Sequence, residues 1–546
     1  MRKKIYFLMY VFIILMIPIC VQAKEMKASN RVSINKIWTI KFSKQIDKST
    51  VNDKNIYVID SNKNRVDIDL EILNDGKWIT VSPKYSYKSN ETYTLFVSNR
   101  IKDINGNHMK DSTAMVFTTS DKTNDKIVLA WNYVYNKEKN KSFYDSKDDV
   151  VMNSSDYSGI SVISPIWFKL KWRDGNVIGI TEKMDETYLK IARMNGYEIW
   201  PCFQGMYKSS IANSLDDYAD KMDKFFQNED VENLVIDQLI AYIDKYNFKG
   251  INVDFEALGK KNRENYSQFV KKLTDKLRSR GVITSVDVNE PVLHSAYSEC
   301  YDRAALADYA DYIMFMAYDE HWVGDKNPGS VGSYPWVEKG INKILNLGVP
   351  NEKLILGVPF YMREFQEVEA SPKVESVVVT KRIIGNVRTM LYSEPSQSSK
   401  NIKSCAYGDL FSVISFDGEW YKVMYNNETA YIKKEAVALV KGNESKKIAV
   451  GCHTKTMNDI KKILSDESKR PYIYYDKVSK QNVLVYYDYD SSRTSLLKHE
   501  IWLEDKESMK WRIDLANKYD LKGVAAWNIG YSSYELLQVL RNYNNN

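Results

Sequence analysis

From residue 127 onward, apolar runs of strand length alternate with segments whose apolar residues recur every three or four positions. The runs fall at 127–134, 159–167, 197–203, 250–255, 282–289, 312–317, 354–359 and 523–527. Between them, Val231, Leu234, Val235, Leu239 and Ile243 share one helical face. Tyr266, Phe269, Val270, Leu273 and Leu277 share another, and Gly281 stops that helix. Strands buried on both faces read as continuous apolar runs, and eight of them with helices between predict a (β/α)8 TIM barrel.

Two regions break this rhythm. Residues 28–120 are patterned as short strands: 37–42 and 78–81 alternate, 93–97 and 114–117 follow, and Asp75-Gly76 and Asn105-Gly106 mark turns. That pattern predicts a small β-sandwich, joined to the barrel by the polar linker 120–125. The stretch 360–522, between the seventh and eighth runs, is far longer than a connecting loop. Within it, 377–440 again reads as short strands. The expected organisation is therefore a leader (1–23), a sandwich (28–120), a barrel in two parts (127–376 and 446–546) and a β-unit inserted at 377–440.

The leader has its own logic. Arg2, Lys3 and Lys4 precede an apolar run at 5–21, and Val21-Gln22-Ala23 is a small-residue cleavage pattern. This predicts a secretory signal, export out of the cell, and no stable membrane insertion once the signal is cleaved. The alternative is an uncleaved anchor, since the run approaches the length of a spanning helix.

Composition narrows the chemistry. With 77 basic and 71 acidic residues, the small positive excess gives no expectation of a nucleic-acid partner. The 5 Cys and 5 His are dispersed, without CxxC or HExxH spacing, so neither a metal nor another cofactor is expected. The 39 Tyr and 12 Trp have two readings, ordinary core use or rings that stack on sugars.

The fourth strand carries the candidate chemistry. Side chains alternate along a strand, so Asn252, Asp254 and Glu256 point into the barrel while Ile251, Val253 and Phe255 point to the helices. Inward polar groups are costly unless hydrogen-bonded. One reading is a satisfied polar layer. The other is catalysis, because Glu256 falls at the C-terminal end of its strand, where barrel enzymes place their chemistry. Asp254 as a charged neighbour would keep Glu256 protonated, and Asn252 is expected to hold Asp254 by a hydrogen bond.

The segment from Lys249 to Glu256 resembles the D-G-x-D-x-D-x-E signature of family 18 glycoside hydrolases, the chitinase-like barrels. Lys249 and Asn252 stand where that signature has Asp. Met316, Ala317, Tyr318 and Asp319 match the family's M-x-Y-D, Trp527 ends the eighth strand, and Gly357 to Tyr361 with Arg363 resemble its seventh-strand pattern. The variant at 252–256, with 318–322 and 335–337, resembles the spore-germination and cortex-lytic branch. Residues 28–120 resemble bacterial Ig-like domains. The insert, with Asn386, Val387, Arg388, Trp420, Tyr421, Lys422 and Val423, resembles bacterial SH3-like domains. It binds wall if Trp420 and Tyr421 are displayed, and is passive if they are core residues.

The family resemblance implies a substrate-assisted, retaining mechanism on an N-acetylated sugar. Glu256 would be the acid, Asp254 would orient the acetamido group, and Tyr318 would hydrogen-bond it. Trp527 would stack beneath the sugar, and Asp319, Met316, Tyr361 and Arg363 would contact it. The implied partner is peptidoglycan or a chitin-like polysaccharide. A chitin hydrolase, a non-catalytic lectin and an adhesion protein are the alternatives, and retention of Asp254 and Glu256 argues against the lectin.

Overall fold

The computed structural model describes residues 24–25, 29–32, 34, 36–73, 76–85, 87–119, 126–134, 159–384, 387–490 and 495–545. The expected signal at 1–23, the linker 120–125 and Asn386 lie outside them. The chain forms two units, Met1–Lys122 and Thr123–Asn546.

In the first unit, two sheets enclose one apolar core. The larger sheet is ordered Lys24–Glu25, Thr113–Thr119, Thr92–Val97, Ile56–Ile59 and Arg65–Val66, with Ser29–Val32 also paired to Thr113–Thr119. The smaller is ordered Trp38–Lys41, Trp78–Pro83, Ile68–Leu73. Ile56, Val58, Ile79, Val81, Leu95 and Phe117 from both sheets fill the space between them, as the alternating pattern requires.

In the second unit, eight parallel strands close a barrel: β1 (Ile127–Asn132), β2 (Val162–Arg173), β3 (Cys202–Gly205), β4 (Gly250–Phe255), β5 (Ile283–Val288), β6 (Tyr312–Met316), β7 (Leu354–Pro359) and β8 (Gly523–Trp527). Each pairs with the next, and β8 pairs with β1 to close the ring. Gly523 is required at the closing seam: a Cβ there would lie 1.9 Å from the Ile127 carbonyl oxygen. Helix Glu229–Tyr246 turns a slightly different face inward than its pattern predicts. Leu234 is 43% exposed, while Ile236 and Ile240 join Val235, Leu239 and Ile243 in the core. Helix Arg263–Arg278 buries the expected Tyr266, Phe269, Val270, Leu273 and Leu277.

The stretch between β7 and β8 holds two nested pieces. The strands described within 446–502, which the pattern groups with the last part of the barrel, join Met362–Ala370 in a separate five-stranded antiparallel sheet. Its order is Lys446–Lys455, Met362–Ala370, Leu496–Trp502, Gln481–Tyr489, Tyr472–Asp476. Helix Met457–Leu464 covers one face through Ile460 and Ile463, against Met362, Leu484, Tyr486 and Ile501. The insert at 377–440 interrupts this sheet at the paired ends Ala370 and Lys446. It forms a seven-stranded sheet, Ser376–Val379 to Val437–Val440, around Val377, Leu391, Phe411, Val423 and Ile432. Trp420 is a core residue there, edge-on to Tyr392 at 5.5 Å, while Tyr421 stacks on Phe416 at 4.4 Å. The insert does not stand free of the five-stranded sheet. Val368, Ala370, Ile448 and Leu497 pack on its Val378 and Val440, and Arg382 pairs with the buried Asp490 at 2.6 Å.

The five-stranded sheet is tied to the barrel by a buried polar cluster. Arg512, on helix Lys506–Lys518, donates to Glu504 at 2.6 Å and to the Gly332 carbonyl at 2.7 Å. Gln481 donates to Glu504 at 3.0 Å and accepts from Ser330 at 2.5 Å. Both charges of the Arg512–Glu504 pair are fully buried, so removing one strands the other. Arg512→Met is expected to cost ~3–5 kcal/mol, read as a lower urea midpoint for the tryptophan fluorescence transition. A loss below about 1 kcal/mol would show that the cluster is not a structural tie.

Candidate active site

The C-terminal ends of the barrel strands gather the candidate residues on one rim. Glu256 follows the last residue of β4, and its N–H bonds the Gly205 carbonyl at 2.9 Å, which fixes where its side chain starts. The next residue, Ala257, is left-handed (φ +58°), as is Asp319 beyond β6 (φ +63°). Non-glycine residues in that region are held there by their surroundings. Both strained positions lie where β4 and β6 turn out of the barrel beside the candidate acids.

Asn252, Asp254 and Glu256 share the inward face, but their bonding differs from the pattern's expectation. Asn252 does not hold Asp254. Its Nδ2 donates to Asp287 at 2.7 Å and to Ser285 at 3.1 Å, and its Oδ1 accepts from the Trp131 indole at 2.8 Å. The reason is geometric: residues two apart on one strand are separated by two residue rises, and the Asn252 amide instead reaches across to β5, to Ser285 level with it and to Asp287 two residues further on. Asp254 is held instead by Gln204 at the end of β3, whose Nε2 donates to Oδ2 at 2.8 Å.

Burial pushes both acids up. For Asp254, burial is opposed by the Gln204 bond and by Lys169 on β2. For Glu256, burial is the first cause and the Asp254 carboxylate the second, with Asp319 adding to them and a hydrogen bond from Asn289 opposing. Glu256 therefore holds its proton well above the ordinary carboxyl range.

The remaining expected residues surround this pair. Trp527, last in β8, lies 5.9 Å from Trp131, 5.3 Å from Tyr133 in an edge contact, and 6.4 Å from Tyr318 in a near-parallel one. Tyr318 also meets Tyr361 at 6.2 Å. Asp319 Oδ1 accepts from Tyr361 Oη at 2.7 Å and from Arg363 at 2.8 Å, and the Arg363 guanidinium lies 4.7 Å from the Tyr361 ring. Met316, half-buried at the end of β6, is level with Gly357 on β7. The structure thus joins Asp319, beyond β6, with Tyr361 and Arg363 at the start of strand Met362–Ala370 into one cluster. It sets Trp527 beside Tyr318, while Met316 stays at the end of β6.

Four further residues belong to the site and were not expected from the pattern: Gln204, Asp287, Asn289 and Tyr133. Asn289 bonds the candidate acid, and Tyr133 bonds Gln204 and feels the Asp254 and Glu256 charges. Polar residues at the C-terminal ends of β3 and β5 are the signal that could have found Gln204 and Asn289. Among the described residues, no group of three or more His, Cys, Asp or Glu side chains is arranged to hold a metal ion.

Comparison with known proteins places this geometry. The family model for glycosyl hydrolases family 18 matches residues 213–532, and that for a bacterial Ig-like domain matches 25–119. The chain is 26% identical over 269 residues to the uncharacterized glycosylase YvbX of Bacillus subtilis, covering 49% of this chain and 73% of that protein. It is 18% identical over 319 residues to the cortical fragment-lytic enzyme of the same species, covering 58% of this chain and 54% of that one. The crystal structure of the Bacillus cereus spore cortex-lytic enzyme SleL shares the fold. Its TM-score is 0.51 at 15% identity, over 86% of this chain and 91% of that one. A match over most of the barrel, together with a closed eight-stranded ring, means that the chain belongs to glycosyl hydrolase family 18 and carries an N-terminal Ig-like domain.

Proposed function

We propose that this glycosidase cleaves bacterial peptidoglycan next to N-acetylglucosamine, by substrate-assisted catalysis with retention of configuration. The observation that carries the reading is the acid pair at the C-terminal end of β4. Glu256 is raised by burial and by Asp254, and the carboxylate beyond β6, Asp319, is already engaged by Tyr361 and Arg363. Among the described residues no carboxylate stands opposed to this acid as a nucleophile, which leaves the attack to the substrate.

The steps follow from these positions. Glu256 gives its proton to the glycosidic oxygen, and the bond to the leaving sugar breaks. The acetamido oxygen of the substrate attacks the anomeric carbon, and the ring that forms carries positive charge. Asp254 takes the acetamido N–H and faces that charge as an anion. Tyr318 bonds the acetamido oxygen, and Trp527 presents a flat face to the sugar. Glu256, now a carboxylate, takes a proton from the water that opens the ring. Asp319, Tyr361, Arg363 and Met316 line the sugar's other side.

Peptidoglycan is preferred over chitin because cortex lysis is named for SleL and for the cortical fragment-lytic enzyme. The leader at 1–23 would export the enzyme to that substrate, and the insert at 377–440, read as SH3-like, would add contact with the wall. Trp420 is interior, so such contact would fall to exposed residues such as Phe416.

Glu256→Gln keeps the shape and removes the proton. It is expected to lower kcat on purified peptidoglycan at least ~100-fold with binding retained, as measured by reducing-end release and pull-down. Near-normal turnover would remove Glu256 from the acid role. The pH profile has a definite sign. Glu256 must be protonated, so activity is present below its raised pKa and lost as pH rises through it. Asp254 must be ionised, so activity is lost as pH falls through its own. Asp254→Asn removes the negative neighbour and is expected to move the alkaline limb of kcat to lower pH while lowering kcat itself. An alkaline limb that stays in place would show that burial alone sets the acid.

A further inference from the structure

Asp287 lies on the inner face of β5, 2% exposed, and the reaction above gives it no task. The β4–β5 register sets Asn252 level with Ser285 and Val253 level with Val286, so Asp254 and Asp287 come next as neighbours on adjacent strands, ~4.8 Å apart along the sheet. Asp287 Oδ1 accepts from Asn252 Nδ2 at 2.7 Å. The orientation of that amide is fixed from its other side. The Trp131 indole N–H can only donate, and it donates to Asn252 Oδ1, so the nitrogen must face Asp287. With Oδ1 already an acceptor, a proton on Asp287 belongs on Oδ2.

Asp254 has the complementary lack. Its Oδ2 is bonded by Gln204, while its Oδ1 is buried with no partner among the described residues. The ionisable groups facing Asp287 are Asp254 and Glu256 from β4, Cys202 from β3, Tyr318 beyond β6 and Tyr266 from helix Arg263–Arg278. None of these five is a cation, and Lys169 acts on Asp254. Three acids in one buried space cannot all be charged. Burial, and after it the Asp254 charge, push Asp287 well above the usual carboxylate range.

We infer that Asp287 is a positioning residue of the glycosidase site: it stays uncharged, Asn252 seats one of its oxygens, and its O–H is offered to the open oxygen of Asp254. One negative charge, not two, then faces the sugar. A donated hydrogen bond favours the ionised form of Asp254 and aims its carboxylate. The inference rests on the proposed reaction in one respect, that Asp254 acts as an anion.

Asp287→Asn and Asp287→Ala test it, because the amide keeps a neutral donor in the same plane and the methyl does not. Asp287→Ala is expected to lower kcat about tenfold with KM little changed, the loss of one hydrogen bond to a charged group. It should also move the acid limb of kcat up by about one pH unit, since Asp254 loses a bond that favours its ionised form. Asp287→Asn should leave the acid limb in place and restore most of kcat. A charged Asp287 gives the opposite sign: both substitutions would remove a negative neighbour and move the acid limb down. That result, or an acid limb unmoved in Asp287→Ala, overturns the inference. A substrate-free readout separates it from the proposed reaction. Infrared difference spectra of wild type against Asp287→Asn at neutral pH should show the band of a protonated carboxyl. Absence of the band overturns the inference even where cleavage proceeds as proposed. The band in an enzyme that leaves N-acetylated glycan intact supports the uncharged Asp287 and removes the proposed reaction.

Discussion

The cost of burying carboxyl groups at the end of β4 shapes this barrel's interior. Asp254 and Asp287 are almost wholly enclosed, and Glu256 sits beside them. Among the described residues no arginine bonds any of them; their partners are the amides Gln204, Asn252 and Asn289. Amides relieve desolvation by donating hydrogen bonds but bring no positive charge, so the acids keep their protons to higher pH than they would in water. An arginine in the same place would stabilise the fold's interior and hold the carboxyls ionised. The site thus favours a retained proton over a neutralised charge, which suits a group that must donate.

The second constraint comes from outside the barrel. Asp319 and Arg363 lie in segments that a bare barrel would leave as loops. The segment after Asp319 is held at Ser330 and Gly332 by Gln481 and Arg512. Arg363 sits on a strand of the five-stranded sheet, paired on one side with Lys446–Lys455. The Ala449 N–H reaches the Lys326 carbonyl at 2.9 Å, linking that same strand to the segment after β6. The sheet therefore does for the rim at Asp319 and Arg363 what the barrel does for the acid pair. It converts loop positions into fixed ones, and it positions Arg363 to bond Asp319 at 2.8 Å.

Sequence and structure agree most closely where one periodicity dominates. β4, β7 and β8 have the bounds that their apolar runs predict, because strands covered on both faces leave an uninterrupted apolar signal. The inward set of Asn252, Asp254 and Glu256 was legible for the same reason. What was not legible is contact between strands. Gln204, Asp287 and Asn289 are each unremarkable in their own segments, and only the level pairing of β3, β4 and β5 brings them to the acids. The Asn252 partner was misjudged on that account, since a two-residue offset along one strand looks close in sequence and is not close across the barrel. The five-stranded sheet was missed because its outer strand, Tyr472–Asp476, exposes Tyr472, Ile473, Tyr474 and Tyr475 on both faces and so shows no alternation. Residues 377–440 stood out by their short strands and turns, and the sheet around them was merged with the barrel.

The claim that depends most on this arrangement is that the nucleophile belongs to the substrate. It is tested most directly by measuring kcat/KM on glycan strands of matched length, N-acetylated and de-N-acetylated. An acid pair with no opposed carboxylate among the described residues predicts that removing the acetyl group lowers kcat/KM by at least ~100-fold, because no oxygen remains to attack the anomeric carbon. Equal rates on the two glycans would contradict the account and require a nucleophile within the protein.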